Sequence, residues 1–120
     1  MKIKVEECSL SGVKVVVPEI FEDERGFFQE TYRKDMFEQK GLPSVFVQDN
    51  HSRSAKGVLR GLHFQYDPPM GKLMRVTLGK AFLVAVDIRK GSPTFGRWVS
   101  YILSSENNHH HQATLILPLS

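Results

Sequence analysis

Short apolar segments separated by glycine- and proline-containing turns recur along this chain, and they constrain its fold more than any other feature. Segments of this length suit strands, and their regular spacing is typical of a sandwich or a barrel. One short helix is predicted over 35–41, where Asp35 caps the start and Gly41, followed by Pro43, ends it. The predicted strands cover 13–17, 26–32, 45–48, 58–65, 73–78, 81–88 and 98–103. The sequence therefore predicts an all-β fold with a single short helix.

The length suffices for one domain with a sizeable core. For 120 residues and 13.7 kDa, surface-area scaling gives about 20,000 Å² exposed when unfolded and about 6,600 Å² when folded. About two-thirds of the surface is then buried. Eight phenylalanines and ordinary glycine and proline counts exclude disordered and collagen-like chains. No linker or internal repeat is visible, so we expect residues 1–120 to form a single domain.

Cysteine usage and the first residues indicate the compartment. Cys8 is the single cysteine and has no internal disulfide partner, which favours a reducing environment. Residues 1–7 carry charge where a secretory signal needs an apolar run, and the longest apolar stretch, 81–86, is far shorter than a bilayer span. The net charge of +3 is mild and its basic residues are scattered. We expect a cytoplasmic protein with neither a nucleic-acid nor a membrane partner.

Four basic or titratable side chains fall within a short stretch: Arg60, His63, Lys72 and Arg75. A lone histidine in a strand is more often structural than catalytic. Positive groups around it would, however, suit an anionic ligand whose charge grows during a reaction. Lys72 shares an apolar strand face with Met74, and it either extends to solvent at the rim, which is the commoner arrangement, or points into a cavity.

The segment 81–89 has a face that changes character along its length. Alternation places Ala81, Leu83 and Ala85 on one face with Asp87 and Arg89. A strand face that packs in the core and then reaches a functional site would change from small apolar residues to charged ones in this order. An ion pair facing solvent would give the same pattern, so both interpretations stay open.

Three consecutive histidines at 109–111 suggest a metal site at first sight. Adjacent strand residues point to alternate faces, so the three cannot all face one ion. A solvated turn is the stronger interpretation, and a cupin-type metal site using His63 and one of them is the alternative. Phosphate-binding glycine loops are absent from the sequence. We expect no metal and no other cofactor.

Several motifs occur together in one order and make the pattern specific. They are Glu24-Arg25-Gly26-Phe27-Phe28-Gln29-Glu30, Gln48-Asp49-Asn50, Gly57-Val58-Leu59-Arg60-Gly61-Leu62-His63-Phe64-Gln65, Gly71-Lys72-Leu73, Ala85-Val86-Asp87-Ile88-Arg89 and Gly91-Ser92-Pro93-Thr94-Phe95-Gly96. From about residue 13 to 107 the chain closely resembles the dTDP-4-dehydrorhamnose 3,5-epimerases of deoxysugar synthesis. The resemblance implies a cupin-like jelly roll, a metal-free homodimer, and inversion of C3 and C5 in a 4-keto-6-deoxyhexose attached to dTDP.

The resemblance also implies roles for individual residues. His63 would be the base that removes a proton, and Lys72 would hold the oxyanion that then develops. Phe27 and its neighbours match residues that, in family dimers, reach the site of the adjacent subunit. The implied substrate contacts are Gln48, Asp49, Asn50 and Arg60 within a subunit, and Arg25, Phe27 and Glu30 from the adjacent one.

The spacing of Arg60 and His63 sets a further constraint. In an unbroken strand, residues three apart lie on opposite faces. Both can serve one pocket only if the strand is bulged or bent between them. We therefore predict a bulge or kink at Gly61.

After residue 107 the chain departs from the family pattern. The pattern continues with Ile-Pro-x-Gly-Phe-Ala-His-Gly and a sizeable C-terminal portion that carries the catalytic tyrosine, a second pocket histidine and the aspartate that orients the base. A jelly roll without its last strands leaves open edges and an uncovered apolar face. Tighter dimerisation, a partner or a rewired tail would have to compensate.

The expected function is an epimerase in dTDP-L-rhamnose biosynthesis whose activity is impaired by this shortening, so that His63 removes a proton while inversion at two centres is weak. The alternatives are a nucleotide-sugar-binding domain without catalysis, a structural jelly-roll module, and a related dTDP-sugar ketoisomerase. The Arg-Gly-Phe-Phe and Gly-Leu-His-Phe motifs favour the epimerase.

Overall fold

The structure is a computed structural model, and it describes residues 2–66, 68–106 and 113–117. Within these ranges the chain forms eight strands and one six-residue helix, which confirms the all-β prediction. The elements are β1 (Ile3–Glu7), β2 (Lys14–Pro18), β3 (Ile20–Asp23), β4 (Gly26–Gln29), α1 (Lys34–Gln39), β5 (Lys72–Met74), β6 (Lys80–Val86), β7 (Trp98–Ser104) and β8 (Thr114–Leu117).

The main sheet has four antiparallel strands in the order β1-β2-β8-β5. Val15 and Val16 of β2 are adjacent and therefore point to opposite faces, yet both are buried. The sheet is consequently covered on both sides. β8 lies between β2 and β5, with Leu115 opposite Val15 and Ile116 opposite Leu73.

Two hydrophobic clusters cover the two faces of the main sheet. On one face, the β6–β7 ribbon packs through Leu103 against Val15 and Leu115. On the other face, Phe37 of α1 packs with Val16 and Ile116. The fold is therefore three layers thick, with the helix, the sheet and the ribbon in that order.

The helix begins one residue before its predicted start, and the predicted cap is wrong. Arg33 is the N-cap residue and makes no side-chain cap hydrogen bond. The Asp35 carboxylate instead accepts hydrogen bonds from the Arg33 Nε at 2.6 Å and the Met36 backbone N at 2.8 Å. Burial of Phe37 decides the register of this short helix, and Gly41, at φ +69°, follows its end as predicted.

The predicted strands at 45–48 and 58–65 are wrong. A strand needs a neighbour that accepts and donates its backbone hydrogen bonds, and no described strand pairs with either segment. Their apolar side chains are exposed, with Val47 at 94% and Leu59 at 89%. The predicted irregularity at Gly61 is present as a φ of +111°, but it is not a bulge because this loop has no strand ladder.

The molecule exposes more surface than its size requires. Its accessible surface is 9087 Å², against about 6,600 Å² for a monomer of this mass. Its radius of gyration is 15.0 Å, against about 13.6 Å for a compact domain of this length. Roughly half of the unfolded chain's surface is buried, rather than two-thirds. The described residues include no helix with the length and apolarity of a bilayer span.

Candidate functional site

A cleft of about 220 Å³ lies where the loop after Gly61 meets the first residue of β5, the last residue of β8 and the end of β6. Most of its lining is apolar, from residues such as Leu62, Val84 and Leu117. Pockets that enclose a drug-sized ligand measure about 300–1,000 Å³, so this cleft suits a small ligand or one part of a larger one. The titratable side chains among the described lining residues are His63, Lys72, Asp87 and Arg89.

His63 reaches the cleft from a loop rather than from the predicted strand. The preceding turn at Gly61 has a φ of +111°, which side chains with a Cβ rarely adopt. A Cβ at this glycine would lie 3.4 Å from the backbone N of His63. Glycine therefore permits both the backbone conformation and the close approach that place His63.

Lys72 is the first residue of β5 and lies opposite Leu117 of β8. Its side chain is partly buried and lines the cleft. The sequence favoured the rim orientation, whereas the structure shows the cavity-lining one. The prediction that His63 and Lys72 share a site is consistent with this placement.

Asp87 and Arg89 form an ion pair in the same cleft. The Arg89 Nε lies 3.0 Å from Oδ1 of Asp87, and its Nη2 lies 3.1 Å from Oδ2, which is bidentate geometry. The Asp87 side chain is only 1% exposed, whereas that of Arg89 is 30% exposed. The interpretation as an ion pair that faces solvent is thus wrong for Asp87, because its carboxylate is buried and the residue lines the cleft.

The Asp87 carboxylate is held in its charged form. Hydrogen bonds from Arg89, then Ser92 and Thr94, hold the pKa of Asp87 well below its usual range. A group that stays ionised near neutral pH is poorly suited to proton transfer there. Asp87 and Arg89 were not among the predicted site residues, although the polar end of the 81–89 face was the signal that could have found them.

The predicted substrate contacts of the 45–60 segment lie in an exposed loop. Gln48 donates from Nε2 to Oδ1 of Asn50 at 3.2 Å, and Asp49 between them is exposed. Arg60 donates from Nε to the Ser54 hydroxyl at 2.8 Å. The described lining of the cleft includes His63 but not Arg60. Arg60 is bonded within its own loop, and its sharing of one substrate pocket with His63 stays a prediction.

The predicted contacts around Phe27 lie on the β3–β4 hairpin and its exit, outside the described lining of the cleft. Arg25 forms a bidentate pair with Asp23, from Nη2 at 2.5 Å and Nε at 3.1 Å. Phe27 is 53% exposed, and Oε1 of Glu30 lies 3.9 Å from Nη1 of Arg33. The structure places these three residues outside the described lining of the cleft of their own chain.

Two further groups bear on the chemistry. In the part of the chain that the structure describes, no three His, Cys, Asp or Glu side chains are placed to hold a metal ion. The three histidines at 109–111 lie outside the described residues. No tyrosine is among the described lining residues, and burial raises the pKa of Tyr101 to about 12.

Comparison with known sequences gives one consistent result. A family model described as dTDP-4-dehydrorhamnose 3,5-epimerase matches residues 7–114. The dTDP-4-dehydrorhamnose 3,5-epimerase of Pseudomonas aeruginosa is 55% identical over 106 residues, which cover 88% of this chain and 59% of that protein. The enzyme of the same name from Methanothermobacter thermautotrophicus is 54% identical over 101 residues, which cover 84% of this chain and 55% of that protein. The chain spans a little over half the length of these relatives.

Solved structures give the same result for the fold. The 3,5-epimerase of Legionella pneumophila, solved with dTDP-4-keto-L-rhamnose, superposes with a TM-score of 0.90 at 45% identity, covering 98% of this chain and 61% of that one. The epimerase of Bacillus anthracis, solved with TDP and PPi bound, superposes with a TM-score of 0.88 at 42% identity. The match covers 98% of this chain and 66% of that one. These superpositions confirm the predicted cupin-like jelly-roll class.

Proposed function

The chain belongs to the dTDP-4-dehydrorhamnose 3,5-epimerase family, and we propose on that premise that it removes and returns protons at C3 and C5 of a dTDP-linked 4-keto-6-deoxyhexose. The observation that carries the proposal is the shared cleft of His63 and Lys72. A base and a cation in one small, mainly apolar cavity are what enolate formation requires. The reaction is that of a racemase or epimerase in dTDP-L-rhamnose biosynthesis.

The chemistry follows from the position of the ketone. The protons on C3 and C5 are both α to the C4 carbonyl, so loss of either leaves an enolate. Imidazole titrates nearest to neutral pH among the side chains, which suits His63 to accept that proton. The ammonium of Lys72 would stabilise the negative charge that develops on the 4-oxygen, and a mainly apolar cavity strengthens that attraction.

Inversion also needs an acid on the opposite face of the sugar. Asp87 is held ionised, and burial raises the pKa of Tyr101 to about 12. Among the described lining residues, neither a tyrosine nor a second histidine is available for this step. We therefore propose that the residues described here support proton exchange at C3 and C5 far better than net inversion.

The nucleotide part of the substrate would lie outside the cleft. At about 220 Å³ the cleft is smaller than the range that encloses drug-sized ligands, so we assign the sugar to it. Polar side chains on the adjoining exposed loop are then available to the diphosphate and the nucleoside. We propose this role for Gln48, Asp49, Asn50 and Arg60.

We propose a homodimer in which the hairpin residues serve the adjacent subunit. Arg25, Phe27 and Glu30 lie outside the described lining of their own cleft, and a second chain that brings its cleft to the hairpin would let them contact substrate. The large exposed surface of 9087 Å² supports an assembly that covers part of it. We further propose that residues 1–120 act as one domain in the cytoplasm, where a single cysteine suits the reducing conditions.

Proton exchange tests the proposed reaction directly. The protein is incubated with dTDP-4-keto-6-deoxyglucose in D₂O, and deuterium is expected to replace hydrogen at C3 and C5. The loss of the C3 and C5 proton signals is followed by ¹H NMR. His63→Asn should slow exchange by at least about 100-fold, the lower range for losing a general base. His51→Asn, an exposed histidine on the neighbouring loop, is the matched control. Absence of exchange in the unmodified protein would refute the proposal.

A nucleotide-sugar-binding protein without turnover is the second candidate, because the described lining residues supply no tyrosine acid. Titration with dTDP by calorimetry separates the two. Binding of dTDP without deuterium exchange would favour the binding protein, and exchange would favour the enzyme.

Subunit complementation tests the dimer. His63→Asn and Arg25→Ala chains are mixed, unfolded and refolded together, so that some dimers carry one site with both native residues. Partial recovery of exchange, with light scattering at the mass of two chains, is expected. No recovery from two individually folded variants would contradict the shared site.

A further inference from the structure

Arg89 is a cation of the cleft in addition to Lys72. It lines the cavity together with His63 and Lys72. Its side chain is 30% exposed, so the guanidinium is partly covered but not sealed. A cation in this position stabilises a developing charge best when its orientation is fixed beforehand, and the neighbouring Asp87 fixes it.

The Asp87 carboxylate is saturated by donors on one side of the cleft. It accepts the bidentate pair from Arg89, and the Arg89 backbone N donates to Oδ1 at 3.0 Å. The hydroxyls of Ser92 and Thr94 donate to Oδ2 at 2.6 and 2.5 Å. A carboxylate with this many partners cannot reorient without breaking several bonds at once, so it fixes the plane of the guanidinium.

The loop around Asp87 is itself closed by backbone hydrogen bonds. The Asp87 N donates to the Arg97 carbonyl at 2.9 Å, and the Gly96 N donates to the Asp87 carbonyl at 2.7 Å. The Arg97 N donates to the Thr94 carbonyl at 2.9 Å. Residues 87–97 thus form a tied connection between β6 and β7 that holds the ion pair against the cleft.

The bidentate pair leaves part of the guanidinium available. Its bonds to Asp87 use Nε and Nη2, whereas a guanidinium carries five N–H donors. Within the described residues, no acceptor is bonded to Nη1 of Arg89. A preorganised donor that faces a small cavity is the arrangement that stabilises developing negative charge.

We propose that Arg89 donates a hydrogen bond to the enolate oxygen of the sugar, alongside Lys72, and that Asp87 is the positioning residue that orients it. This inference rests on the proposed function. The cleft is assigned to the sugar, and His63 removes its proton there, so a cation in the same cavity faces the sugar oxygens rather than the phosphates. Arg89 is then a catalytic residue.

Kinetics of deuterium exchange test the assignment. Arg89→Gln is expected to lower kcat for exchange by about 100-fold, the loss typical of one oxyanion donor, while KM and the Kd of dTDP change little. Arg89→Lys should recover part of the rate, because it keeps the charge but loses the bidentate geometry. Asp87→Asn should lower kcat in the same sense. Arg97→Gln, an exposed arginine of the same loop, is the matched control and should keep the wild-type rate.

A second measurement does not depend on variants that fold poorly. In ¹⁵N-labelled wild-type protein, the Arg89 Nε–H resonance should shift on addition of the keto sugar nucleotide and stay in place with dTDP alone. Exchange by Arg89→Gln at the wild-type rate, or no shift of the resonance on saturation, would overturn the inference alone. Wild-type protein without exchange and without dTDP binding would overturn the proposed function, and this inference with it.

Discussion

Lys72 lies directly opposite Leu117 where β5 pairs with β8. The lysine of the cleft is therefore held in the sheet by a strand from the far end of the described chain. β5 has three residues and lies at the edge of the main sheet, where β8 is its described neighbour. The position of Lys72 thus depends on the packing of β8, and substitutions in that strand should affect both stability and the site.

Ile116→Ala should destabilise the fold strongly. Ile116 is 1% exposed and packs against Phe37 and Val16. Removing its buried methylene and methyl groups should lower the free energy of unfolding by about 2–5 kcal/mol, measured by urea denaturation. Ile102→Ala is the matched control, because Ile102 is 56% exposed, and it should cost about 0.5 kcal/mol or less. Equal losses from the two variants would contradict the described core.

Phe37→Ala should remove the anchor of α1. Phe37 is fully buried, and its ring meets that of Tyr32 edge to face at a centroid distance of 4.9 Å. The expected loss is about 3–5 kcal/mol in the free energy of unfolding. Phe95→Ala, at an exposed phenylalanine of the β6–β7 loop, should have little effect. An unchanged unfolding midpoint for Phe37→Ala would show that α1 does not contribute to the core.

The carboxyl group of Asp87 should make the free energy of unfolding depend on pH in the acidic range. Its pKa in the folded protein lies well below the ordinary value of 3.8 because Arg89, Ser92 and Thr94 donate hydrogen bonds to the charged carboxylate. The folded state then binds fewer protons than the unfolded state. The stabilisation is therefore complete above the unfolded pKa and is lost as the pH falls toward the folded value.

Asp87→Asn removes this contribution. The variant should be less stable than wild type at neutral pH, and its free energy of unfolding should fall less steeply below about pH 4. Urea unfolding between about pH 2 and pH 7 measures both effects. Glu24→Gln changes an exposed carboxyl group and should keep the wild-type profile. A steeper acid loss in Asp87→Asn than in wild type would contradict the assigned direction.

Gly61→Ala should disturb His63 more than it disturbs the fold. Alanine is strained at a φ of +111°, and its Cβ would lie 3.4 Å from the His63 backbone N. We expect slower deuterium exchange together with a loss of about 1 kcal/mol or more in stability. Gly57→Ala is the matched control, since its φ is +86° but nothing lies within 4 Å of the added Cβ. Equal exchange rates in the two variants would contradict the role of Gly61 in placing His63.

The sequence by itself determined the all-β class, the short helix, the strands around Val15, Leu83 and Tyr101, and the family. These features depend on local alternation of apolar residues and on motifs that lie close together in the chain. The sequence also predicted an irregular backbone at Gly61, because Arg60 and His63 would lie on opposite faces of an unbroken strand.

Only the tertiary structure decided which apolar segments become strands and which charged residues line the cleft. The segments 45–48 and 58–65 have a strand-like pattern, but a strand also needs a paired neighbour, and the described chain gives them none. Thr114–Leu117, which lies beyond the last predicted strand, instead fills the middle of the sheet. Alternation along 81–89 already places Asp87 and Arg89 on one face, and the tertiary structure decides that this pair lines the cleft, where the hydrogen-bonded 87–97 loop holds it.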